Sequence, residues 1–75
     1  MTEQWWIGWQ IPGKPFEWLG FSLTGNWASR WAEATAKTMI DPSIRIWLWS
    51  NGAFVEYYEG GSGKRVLLRP IEAKW

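Results

Sequence analysis

Between Ile44 and Arg69 the chain reads IRIWLWSNGAFVEYYEGGSGKRVLLR: two β-favouring runs flank Asn51-Gly52, and a third follows Gly60-Gly61-Ser62-Gly63. Asn-Gly supplies the two positive-φ residues that a type I′ hairpin turn requires. A two-residue turn fixes the register. That register sets Ser50 opposite Ala53, Trp49 opposite Phe54 and Leu48 opposite Val55. It continues with Trp47–Glu56, Ile46–Tyr57 and Arg45–Tyr58. A loop over Gly60 to Gly63 then pairs Tyr58 with Arg65 and Tyr57 with Val66.

Side chains alternate across a strand, so this register predicts two unlike faces. One carries Ile44, Ile46, Leu48, Val55, Tyr57, Val66 and Leu68 and reads as core. The other carries Arg45, Trp47, Trp49, Phe54, Tyr58, Arg65 and Arg69, with Glu56 and Leu67 among them. Rings mixed with guanidinium groups suit neither plain solvent nor a plain core.

Upstream, Trp5, Ile7, Trp9 and Ile11 alternate with Trp6, Gly8 and Gln10, which predicts a strand. Gly8 marks a bulge or a close approach by a neighbouring group. Pro12-Gly13-Lys14-Pro15 is a turn, and Phe16 to Leu23 a second strand. Leu19, Phe21 and Leu23 are expected on one side of it, Trp18, Gly20 and Ser22 on the other.

Asn26 is the expected N-cap of a helix from Trp27 to Ile40, ended by Asp41-Pro42. Ala28, Trp31, Ala32, Thr35 and Met39 share one stripe of that helix, its small residues allowing close approach to a sheet. Glu33 and Lys37 form a favourable i,i+4 pair on the other side. A polar lead-in before Trp5, a strand stop at Pro70 and a short tail to Trp75 complete the chain.

The 75 residues predict one small α+β domain over 1-75. It is an antiparallel sheet with one covering helix, in the order ββαβββ. The first hairpin folds across the aromatic-arginine face, or a second copy packs there, or that face binds a partner. With nine Trp, the composition offers large rings where a short chain has few core residues.

There is no Cys and no His, which removes disulfides, thiolate chemistry and the commonest general base and metal ligand. No catalytic residue, cofactor or metal ligand is expected. Glu56 reads as an ion-pair partner for Arg45, Arg65 or Arg69. Gly60 to Arg65 departs from a phosphate loop, because Arg65 stands where Ser or Thr belongs and a strand follows.

The net charge of +1 gives no overall drive toward nucleic acid or membrane. Trp5, Trp6 and Trp9 lack the basic flank and helical period of a bilayer anchor. The expectation is a soluble, cytoplasmic, non-enzymatic binding protein with no membrane partner. Its contact residues are Arg45, Trp47, Trp49, Phe54, Tyr58, Arg65 and Arg69, and its partner is a protein or a second copy. Length, missing Cys and His, and surplus Trp are compatible with small phage accessory proteins that bind and block a host protein. The alternative is single-stranded nucleic acid, with rings stacking bases and arginines holding phosphates. Sugar stacking on exposed Trp is a third option without specific support.

Overall fold

A computed structural model describes residues 4–68, so the lead-in before Gln4, Arg69, the stop at Pro70 and the tail to Trp75 lie outside the described residues. The elements are β1 (Trp5–Gln10), β2 (Glu17–Ser22), α1 (Gly25–Lys37), β3 (Arg45–Ser50), β4 (Ala53–Glu59) and β5 (Arg65–Leu67). All five strands join one antiparallel sheet in the order β2-β1-β3-β4-β5. The α+β class and the order ββαβββ therefore stand as read from the sequence.

β2 and β3 both pair with β1, so they run parallel to one another with β1 between them. Parallel strands need a crossover, and α1 is that crossover. It lies on one face of the sheet. Ala28, Ala32 and Ala36 recur every four residues and are fully buried, so the helix backbone approaches the strands closely. Ile7, Ile46, Leu48 and Tyr58 complete the core, with Trp5 and Trp9 packed against it.

The N-cap is Thr24, two residues before the expected Asn26. Its Oγ1 accepts from Trp27 N at 3.2 Å, and its carbonyl accepts from Ala28 N at 3.2 Å. Ser22 Oγ accepts from Thr24 N at 3.2 Å, which ties the cap to the end of β2. The helix also stops earlier than Ile40, because its last carbonyls find other donors. Thr38 Oγ1 donates to Thr35 O at 2.7 Å, and Gly61 N donates to Ala36 O at 2.9 Å. The expected Glu33–Lys37 pair forms, at 3.4 Å.

Asn51 (φ 51) and Gly52 (φ 82) both lie in the left-handed region, as the hairpin requires. The first two pairs, Ser50–Ala53 and Trp49–Phe54, match the expected register. Then Leu48 pairs with Glu56, Trp47 with Tyr57, Ile46 with Tyr58 and Arg45 with Glu59. Val55 is the extra residue of a β-bulge, and beyond it each β4 side chain lies on the face opposite to the one predicted. The β4–β5 pairs Tyr58–Arg65 and Tyr57–Val66 form as predicted.

The β4–β5 loop is packed rather than open. Gly60 N donates to Ile44 O at 2.8 Å, and a Cβ on Gly60 would collide with the Asp41 carbonyl oxygen. A Gly60→Ala variant should therefore lose ~1–3 kcal/mol of stability in urea unfolding. Gly20 has open space where a Cβ would go, so Gly20→Ala should avoid that collision. Equal stabilities would contradict the packed loop.

Candidate protein-interaction face

The aromatic part of the sheet face away from α1 is built from four strands. β1 contributes Trp6, Gly8 and Gln10, which lie opposite Trp49, Trp47 and Arg45 of β3. β1 also pairs with β2, where Trp6 meets Phe21 and Gly8 meets Trp18. A second bulge leaves Leu19 unpaired in that ladder. It brings Trp18 and Phe21 to the same face, where alternation alone separates them. The first hairpin thus extends the aromatic face sideways and does not fold across it.

Gly8 is where the face closes up. Its missing side chain is replaced by the Phe16 ring, which a Cβ on Gly8 would strike. Phe16 then sits edge-to-face on Trp18 at 5.0 Å and on Phe54 at 5.8 Å. Trp18 stacks on Phe54, centroids 6.2 Å apart and planes 9° apart, and meets Trp49 at 6.1 Å and Trp6 at 6.0 Å. Trp47 lies 5.1 Å from Phe54 and 4.7 Å from Tyr57. Each such pair contributes about 0.5–1.5 kcal/mol beyond its buried area.

Mutual packing does not hide these rings. Trp18 is 49% exposed, Phe21 52% and Phe54 39%. Trp6, Trp18 and Trp49 line an open hollow of about 300 Å³. Polar groups trim the end near Arg45. Its guanidinium lies 4.5 Å over the Tyr57 ring, and Trp47 Nε1 donates to Gln10 Oε1 at 3.3 Å.

Of the predicted contact residues, Arg45, Trp47, Trp49 and Phe54 share this face. Tyr58 and Arg65 do not, because the Val55 bulge turns them toward α1; Arg69 lies outside the described residues. Tyr57 takes the place read for Tyr58. Trp6, Phe16, Trp18 and Phe21 also lie on this face and are not among the residues read for it. The period-two pattern already set Trp6 with Gly8 and Gln10, but the pairing of β1 with β3 has no local signature.

On the helix side the bulge gathers a polar cluster. Glu56 is 3% exposed and fully engaged. Ser29 Oγ donates to its Oε2 at 3.2 Å and Tyr58 OH at 2.6 Å. Arg65 Nε and Nη2 donate to Oε1 at 3.1 and 3.0 Å. The ion-pair role read for Glu56 is correct, with Arg65 as the partner, although its face was not. Burial is the main cause that pushes the Tyr58 hydroxyl up to about 12, with the bond to Glu56 adding to it. The same carboxylate holds the Arg65 guanidinium above its usual range. Among the described residues no group of three or more His, Cys, Asp or Glu could hold a metal, and no helix is long and apolar enough to cross a membrane.

No protein-family model, curated protein or solved structure matches the chain.

Burial of the Tyr58 hydroxyl makes stability depend on pH in the alkaline range. Its folded-state value is raised, so its contribution is fully present below pH 10 and is lost as pH rises toward 12. Stability should fall by about 1–3 kcal/mol over that window, and Tyr58→Phe should remove this part of the fall. Identical alkaline profiles for the two proteins would show that the hydroxyl is neither buried nor held by Glu56.

Proposed function

We propose that this chain is a non-enzymatic interaction module whose open sheet face docks on the apolar surface of a protein partner. The supporting observation is the continuous field of rings from Phe21 and Trp18 through Trp49 and Trp47 to Tyr57, left uncovered by the helix. Contiguous apolar patches on a protein surface mark contact sites. Trp, Tyr and Arg are also the residue types that dominate interface energetics.

The same geometry weakens the single-stranded nucleic-acid reading. Phosphate binding needs several cations beside the rings. Of the arginines read for that role, Arg65 is committed to Glu56 on the opposite side, and Arg45 lies over Tyr57. Most of the rings meet edge to face, which leaves few flat platforms for bases. Catalysis has no support in the polar cluster either, since both Glu56 oxygens are occupied by donors.

The test uses Trp47→Ser with Trp49→Ser, two positions in the middle of the face. The immobilised wild-type chain should retain a discrete protein from a lysate of its source cell. The double variant, with its far-UV spectrum unchanged, should bind that protein at least about 30-fold more weakly, the loss of roughly one hot spot. Undiminished retention by the folded variant would remove the proposal. Quenching of Trp emission by single-stranded oligonucleotides at low salt would transfer the face to nucleic acid.

A further inference from the structure

Strand β2 is an outer strand of the sheet, and among the described residues it pairs with β1 alone. Its outward row of backbone donors and acceptors is a template for another strand. Natural edges are blunted by Lys, by Pro, by inward-pointing charge or by a bulge, and of these β2 carries the bulge at Leu19. From Glu17 to Ser22 the only charged residue is Glu17, and its Oε1 is engaged by Trp9 Nε1 at 3.0 Å. Beside the strand on the helix side lies an open notch of about 250 Å³, with Ile7, Leu19, Gly20, Trp27 and Trp31 in its walls. Nothing lies within 4 Å of the position where a Cβ on Gly20 would stand. Leu19, the next residue, is 39% exposed.

We infer that β2 pairs antiparallel with β2 of a second copy of this chain, about a two-fold axis between Leu19 and Gly20. The axis stands perpendicular to the sheet. Leu19 of each copy then faces Gly20 of the other and enters its notch, a knob and a hole exchanged twice. Trp18 faces Phe21 of the other copy on the aromatic side, and Glu17 faces Ser22.

The bulge is what makes this register self-consistent. Residues directly opposite in an antiparallel pair share a face. In a regular strand Trp18 and Phe21 would lie on opposite faces, and this register would be forbidden. With Leu19 as the extra residue, Trp18 and Phe21 share the aromatic side, while Leu19 and Gly20 share the helix side. A two-fold interface requires such self-complementarity, with residue i meeting j and j meeting i. The strand's single charge keeps away from its own symmetry mate. The two five-stranded sheets become continuous, and both aromatic faces look the same way, so the assembly offers twice the face of one chain.

Light scattering on the full chain should give twice the 8.8 kDa chain mass. Leu19→Lys puts a charge into the notch and should weaken the dimer at least about tenfold. Trp47→Ser with Trp49→Ser should stay dimeric, so loss of the docking face and loss of the pairing are read separately. The chain has no cysteine, which permits a direct register test should Leu19→Lys fail to fold. Trp18→Cys with Phe21→Cys should cross-link two chains on mild oxidation, because opposed residues are spaced as a disulfide needs. A monomeric wild-type chain would overturn the inference. So would an unweakened Leu19→Lys dimer, or a double-cysteine variant that stays uncrosslinked.

Discussion

The carboxylate of Glu56 governs how this small fold is sorted. A charge removed from water is tolerated only with its hydrogen bonds made. Glu56 meets that condition under the helix, where Ser29, Tyr58 and Arg65 all donate to it. Reaching them requires one extra residue in β4, and Val55 is that residue. Leu68 N donates to Val55 O at 3.0 Å, which ties the bulge to the neighbouring chain segment. Tyr57, displaced in exchange, joins Trp47 and Arg45 on the opposite side. One inserted residue therefore separates a satisfied polar cluster from a field of rings that the helix leaves uncovered.

The same economy runs through the packing. A chain this short has little volume to bury. Three alanines let the helix approach closely, but a narrow helix covers only part of a five-stranded sheet. The core is correspondingly small, and among the described residues its largest fully buried side chains are Ile46 and Leu48. Much of the aromatic surface stays outside, held in place by ring-on-ring contact. Rings fixed in this way would lose little freedom on docking to the partner proposed above.

The hairpin was legible because Asn-Gly names its own backbone conformation, and β4–β5 was legible because its loop length fixes the pairing. The element order followed from periodicity and turn residues. Both bulges escaped. They arise from long-range demands: in β4 the need of Glu56 for Ser29, and in β2 a break in alternation beside Gly8 and Phe16. A one-residue slip reverses every later side chain, so unbroken alternation puts Tyr58 and Arg65 on the wrong face. The cap moved from Asn26 to Thr24 for a similar reason, since Ser22 at the end of β2 secures Thr24. The strand neighbours of β1 are tertiary information, and with them went Trp6, Trp18, Phe16 and Phe21.

The exchange of Tyr57 and Tyr58 between faces is open to a direct nuclear Overhauser measurement on the labelled protein. Ring protons of Tyr57 should show contacts to the Trp47 indole, and those of Tyr58 contacts to the Ser29 side chain and to the alanine methyls under the helix. Contacts from Tyr57 to those methyls, with Tyr58 beside Trp47, would mean that β4 runs without its extra residue and that the polar cluster around Glu56 does not exist.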